Sequence, residues 1–201
     1  MLAVSADKPG AFEALVEFYE RQVKAAVARS IRDRSSVDDL SQEVFLRLFR
    51  ARARYQPTAR FETFLYRIIF NLCVNHTQYR NRRRAWSLDA PIQGENDGTF
   101  EIEDDAERGP LETLQDSERA RLVREGVEML PEKQRQALIM SRFEGLGYED
   151  IATVMGLSLS AVKSLLWRAR DNLRDHLRPI LDDSFFPPAD AGAPGRDTTD
   201  E

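Results

Sequence analysis

Apolar residues recur along this chain at spacings of three and four. Phe12, Leu15, Val16 and Tyr19 begin one such stripe, and Val23 and Val27 extend it. Leu40, Val44 and Leu48 form a second, and Phe64, Leu65, Ile68, Ile69 and Leu72 a third. That period places them on one face of a helix, whereas a half-buried strand needs strict alternation. No stretch alternates in that way. The pattern restricts the chain to an all-α fold.

Helix breakers divide the pattern. Ser36-Val37-Asp38-Asp39 resembles a capping box, with Ser36 placed to cap free amides and Asp39 to reach back. Pro57 interrupts the periodicity, so "YQPTAR" reads as a loop before the helix that starts near Phe61. The first helical domain runs over 11–84. Residues 85–112 hold Pro91, Gly94, Gly98, Gly109 and Pro110 among acids, the composition of a flexible linker. A second small helical domain occupies 113–181, with Leu122, Val127 and Leu130 and then Ala137, Leu138 and Phe143 as apolar positions. Pro131 suits the first turn of a helix. Residues 182–201 are rich in Pro and Asp, so a disordered tail is expected, with Phe185 and Phe186 inside it.

Net charge is −5, but its distribution says more than its sum. From Arg47 to Arg84 the arginines are opposed only by Glu62, whereas from Trp86 to Glu118 the acids face only Arg108. A basic block suits a polyanion, and an acidic block suits a solvated tether or a basic channel.

Other function classes find little support. Cys73 is the one cysteine, so no internal disulfide forms and a cytoplasmic chain is expected, with Cys73 as buried filler. His76 and His176 lie far apart, without a Cys or carboxylate cluster, and read as surface or helix-end residues, so no metal is expected. Apolar runs are too short for a membrane span, and the start of the sequence lacks the pattern of a signal peptide. "GLGYED" carries Asp150 where a dinucleotide fold needs its third glycine, and "NHT" at Asn75 matches a glycosylation sequon by chance. With no paired catalytic carboxylates, phosphate loop or cofactor motif, the chain is not expected to be an enzyme.

The stretch from Tyr148 to Arg170 is the most informative. Ile151, Ala152 and Met155 give a first helix its apolar face, Gly156 suits a left-handed turn, and Ser158 is placed to cap the next helix. Val162, Leu166, Ala169 and Leu173 mark that helix's buried stripe. The opposite face holds Ser160, Ala161, Lys163, Ser164, Trp167, Arg168 and Arg170. This is a helix-turn-helix pattern, in which the second helix enters the major groove. Lys163 and Arg168 suit phosphates or guanine edges. Trp167 suits sugar or thymine methyl groups, or the cover of a neighbouring helix. The stripe already filled by Leu166 and Ala169 favours DNA.

Two motifs in order extend the argument. "LPEKQRQALIMSRFEGLGYEDIATVMGLSLSAVKSLLWRARDNLRDHL" resembles the C-terminal DNA-binding domain of bacterial RNA polymerase sigma factors of the extracytoplasmic-function (ECF) group. "DDLSQEVFLRLFRARARYQPTARFETFLYRIIFNLCVNHTQYRNRRR" resembles that family's N-terminal domain. The resemblance implies a non-catalytic initiation factor. It would bind core RNA polymerase, recognise a promoter −35 element as duplex with the second domain, and open the −10 element with the first. It implies polymerase contact at Asp39, Gln42 and Glu43, which lie off the Leu40–Val44–Leu48 stripe. It implies single-stranded −10 contact along the loop Arg54–Thr63, with Tyr55 and Phe61 at its ends. Arg67, Asn71, Asn75, Tyr79, Arg80, Arg82, Arg83 and Arg84 continue that track, whose rings and cations suit unpaired bases. Phe64 stands where the family has tryptophan and reads as core, as does Tyr66. The implied −35 contacts are Leu159, Ser160, Ala161, Lys163, Ser164, Trp167 and Arg168, with Leu165 where a basic residue is common. The acidic linker, by resemblance, threads a basic polymerase channel, and an anti-sigma factor is a further possible partner. The alternative is a dimeric helix-turn-helix regulator that binds DNA without polymerase.

Overall fold

The structure, a computed structural model, describes residues 1–86 and 110–178. Among these residues every regular element is helical. A short α1 (Leu2–Ser5) precedes α2 (Ala11–Ser30), α3 (Val37–Ala51) and α4 (Phe61–Trp86). Then come α5 (Pro110–Met129), α6 (Glu132–Arg142), α7 (Tyr148–Met155) and α8 (Leu159–Leu177). At 1.5 Å per residue, α4 is about 39 Å long, the longest helix among the described residues.

The three sequence stripes meet as expected. Val23 and Val27 of α2, Val44 and Leu48 of α3, and Leu65, Ile69 and Cys73 of α4 are all buried. Burying side chains of this size contributes about 1.5–3 kcal/mol each. The second half packs α6 and α5 against α8, and α7 against α8. Leu130, Leu138 and Ala169 form a small cluster there, flanked by Val127 and Leu173. The larger core crosses between the halves: Ala137, Met140, Ile151, Val154 and Leu166 belong to the same apolar cluster as Val27 and Ile69. α7 lies on α4, and α6 touches α2.

Local departures have local causes. Ser36 makes no side-chain cap at α3. Asp33 instead caps the short 3-10 turn Arg34–Ser36 that precedes α3, accepting from the Ser35 amide at 3.2 Å, the Ser35 hydroxyl at 2.7 Å and the Ser36 hydroxyl at 2.7 Å. Pro131 precedes α6 as its N-cap rather than sitting in its first turn. Helix α4 continues to Trp86 and α5 begins at Pro110, so helix enters both ends of the stretch expected as linker. Phe143 is exposed, and Leu146 is buried in its place. The acidic stretch 87–109 and the tail 182–201 lie outside the described residues.

Candidate nucleic-acid and polymerase interface

The turn between α7 and α8 is built as its residue types require. Gly156 has φ of 64°, in the left-handed region that favours glycine, and ends α7. The Ser158 hydroxyl accepts from the Ala161 amide at 3.2 Å, capping α8. Val162, Leu166 and Ala169 are buried and fix the rotation of α8 about its axis. Leu159, Ser160, Lys163, Ser164, Trp167 and Arg168 are consequently exposed, with Ala161 at the margin. Trp167 is 65% exposed, so it is not the cover of a neighbouring helix. An open groove of about 520 Å³ runs along this face, lined by Tyr148, Lys163, Ser164, Trp167, Arg168 and Arg170, and floored by Leu166. Leu165 is partly buried against the core, so its position turns away from the basic face.

The second basic face lies on α4. Arg67, Asn71 and Asn75 are exposed and follow one another at one-turn intervals. Tyr79, 56% exposed, continues the line, with the Arg83 guanidinium 5.9 Å from its ring centre and Arg82 exposed beside it. The loop before α4 is framed by rings. Tyr55 packs edge-on against Phe64 at 5.1 Å and Phe61 at 6.3 Å, Phe61 meets Tyr19 at 5.1 Å, and the Arg67 guanidinium lies 5.6 Å from the Phe64 ring centre. Arg54 and Arg60 are exposed at the two sides of the loop. Phe64 and Phe61 pack against the core, and Tyr66 is buried.

Arg80 is placed apart from this line, in an ion pair with Asp33, and His76 lies 3.8 Å from the same carboxylate. Burial of Asp33 would raise its pKa, but the Ser35 and Ser36 hydrogen bonds and the Arg80 charge overcome it and bring the group down to about 2. His76 is thus a half-buried neighbour of an ion pair rather than a surface residue. Arg84 lies outside the residues whose side chains are described.

On α3, Asp39 and Gln42 are exposed. Glu43 is held by Arg47 at 2.8 Å, a hydrogen bond that lowers its pKa, with Arg50 at 3.9 Å. The same face continues through Leu46 and Phe49, which are 50% and 40% exposed. Neither residue was singled out by sequence. Both lie off the helix's single buried stripe, and that surplus of apolar residues was the available signal.

Sequence reasoning also missed a seam of buried polar groups between the two halves. Glu144 accepts from Arg29 at 2.9 Å and from the Tyr66 hydroxyl. Burial first, and then Glu144, push the Tyr66 pKa upward. Tyr66 also accepts from the Gln22 amide at 2.7 Å. Arg135 and Gln136 both donate to the Ser30 carbonyl, at 3.0 and 2.8 Å, and Thr63 donates to Asp150 at 2.7 Å. Apart from Gln22 and Tyr66, both in the first half, each of these pairs joins residues at least 78 positions apart, so no local pattern announces them.

Comparison with known proteins follows the same division. A family model described as Sigma-70 region 2 matches residues 15–85, and one described as Sigma-70, region 4 matches residues 120–173. The RNA polymerase sigma-H factor of Pseudomonas aeruginosa is 35% identical over 178 residues, spanning 85% of this chain and 88% of that protein. The ECF RNA polymerase sigma-E factor of Escherichia coli strain K12 is 31% identical over 173 residues, again 85% of this chain and 88% of that protein. Two solved structures share the fold. The sigma factor RpoE in complex with the anti-sigma factor NepR, from Bartonella quintana, superposes with a TM-score of 0.67 at 20% identity, covering 86% of this chain and 99% of that one. CnrH in complex with the cytosolic domain of CnrY gives 0.60 at 22% identity, covering 89% and 94%.

Proposed function

The chain belongs to the sigma-70 family, in its extracytoplasmic-function group of RNA polymerase sigma factors, and from this premise we propose how its faces divide the work of initiation. It directs core RNA polymerase to promoters. Helix α8 reads the −35 element as duplex through Lys163, Ser164, Trp167 and Arg168, with Leu159, Ser160 and Ala161 where the groove is tight. The ring-framed loop and the Arg67–Asn71–Asn75–Tyr79 line take the −10 element as an unpaired strand, with rings for bases and cations for phosphates. The α3 face of Asp39, Gln42 and Glu43 meets the polymerase. We take the two domains as 11–84 and 113–181, a division consistent with helix ending at Trp86 and resuming at Pro110. The chain supplies recognition, and the polymerase supplies the phosphoryl chemistry. It acts in the cytoplasm, where polymerase and DNA are, and an anti-sigma factor of the kind bound to the two structural relatives is a third partner.

One observation carries this reading. Two differently built basic faces stand on one chain, each within a separately matched family region. A dimeric operator-binding regulator needs only the second of them. The test is in vitro transcription from a pool of genomic promoters, with core polymerase plus or minus the protein. New start sites that share spaced −35 and −10 elements are expected. Protection of palindromes without polymerase, and no new starts, would overturn the reading.

A further inference from the structure

Phe18 of α2 belongs neither to the apolar core nor to the two basic faces. Its side chain is 76% exposed, more than any other large apolar residue among those described. A single exposed apolar side chain needs no explanation. This one, however, ends a chain of rings. Phe18 packs edge-on against Tyr19, with centroids 4.9 Å apart. Tyr19 meets Phe61 at 5.1 Å, Phe61 meets Tyr55 at 6.3 Å, and Tyr55 meets Phe64 at 5.1 Å. Five rings from α2, the loop and α4 thus follow one another without a break. The Arg67 guanidinium marks one end of the series, and Phe18 is the open end.

The series is anchored in its middle. Tyr19 packs partly buried against the core, and its hydroxyl donates to the Glu62 carboxylate at 3.5 Å. One residue along a helix turns the side chain by about 100°. With Tyr19 facing the loop, Phe18 is therefore swung out to solvent beside it. The charges around Phe18 are divided. Glu13, Glu17 and Glu20 are exposed and share one line of α2, on the side of Phe18 away from Tyr19. Arg21 is exposed one turn along the ring's own face. A strand arriving from the loop therefore meets ring surface as far as Phe18. Beyond it, three carboxylates repel the phosphates.

We propose that Phe18 is the outermost stacking platform for the unpaired promoter strand: the base that follows the last one held by the loop rests on its ring, and the acidic line beyond ends the path there. The platform rests on the reading of the ring-framed loop as the seat of the −10 strand. It adds hold rather than base identity, because every base presents a π-face to stack on.

The test titrates holoenzyme, assembled from core polymerase and the full chain, against forks built on a promoter found in the transcription pool. Each fork is duplex through the −35 element, and its unpaired −10 strand lengthens downstream by one nucleotide at a time. The parent should gain about tenfold in affinity at one added nucleotide. Phe18→Ala should lack that step and match the parent on every shorter fork, whereas Phe18→Trp should keep it. An abasic sugar at the added position should remove the step from the parent as well. Because the ring is exposed, Phe18→Ala should leave helicity and Tm unchanged. A parent without a step, a step that survives Phe18→Ala, or a loss spread evenly over all lengths would overturn the platform. So would weaker binding of Phe18→Ala to core polymerase in the absence of DNA, which would assign the ring to a protein contact. In those cases the −10 reading stands, since the forks are still bound. Holoenzyme that binds no fork more tightly than core polymerase alone would instead sink the −10 reading, and the platform with it.

Discussion

The two basic faces of this molecule are constructed in opposite ways. The α8 face is set before any ligand arrives: a glycine turn, a serine cap and three buried residues leave its helix little freedom to rotate. The α4 face starts from a loop whose rings touch edge to edge, and its polar residues stand on one exposed line of a long helix. A groove of fixed width rewards the first construction. An unpaired strand, which must be caught base by base, rewards the second. On the proposed assignment, the preformed face meets the regular duplex and the ring-framed loop meets the irregular single strand.

The sharpest way to break this contrast is to disarm one face at a time. Lys163→Ala combined with Arg168→Ala removes two contacts, each worth about 1–3 kcal/mol if made to base edges. Holoenzyme should lose roughly a hundredfold in affinity for duplex carrying the −35 element and keep its affinity for a pre-opened −10 fork. Tyr55→Ala should do the reverse. It removes a stacking surface worth about 1–3 kcal/mol per base, so fork binding and strand opening should fall roughly tenfold or more while −35 binding persists. Gel-shift titration on the two templates checks both. If either variant weakens both templates equally, the faces are not separable in the way their construction indicates.

Smaller effects sharpen the contrast. Gly156→Ala puts a Cβ on a residue with φ of 64°. About 1–2 kcal/mol of stability should be lost, seen as a lower Tm, with −35 binding affected before fork binding. Acid should act on the other half. Asp33 ionises at about 2 in the folded chain against its ordinary 3.8, so the unfolded chain takes up its proton first as pH falls. Its contribution is therefore complete above pH 3.8 and is lost as pH drops toward 2. Asp33→Asn should remove that contribution at neutral pH and flatten the acid limb of a stability profile between those values.

The helices, their order and the exposed face of α8 could be read from sequence because they depend on periodicity and capping within a few residues. Gly156 and Ser158 act over one turn, and they stand as their residue types require. The capping box at Ser36–Asp39 did not form, because Ser36 spends its hydroxyl on Asp33, which caps the 3-10 turn before α3 and also pairs with Arg80 from α4. Arg80 itself could not be separated from its arginine neighbours by composition, because its rotation about α4 is decided by the core. Glu144 and Arg135 were illegible for a different reason. In sequence each is an ordinary charge, Arg135 within α6 and Glu144 in the bend after it, and only the meeting of distant segments buries them.

Cys73 gives the molecule a built-in clock. The thiol is buried in the centre of α4, and burial pushes its pKa up to about 12. At neutral pH the buried thiol therefore carries far less of the reactive thiolate than a free cysteine does. Alkylating reagents wait for the thiol to be uncovered, and the rate at which the chain takes up one label reports how often that happens. Cys73 also lies beside Ser30 and close to Glu132 and Arg135 of the second half, so parting of the two halves uncovers it as unfolding does, and the labelling rate counts both kinds of opening.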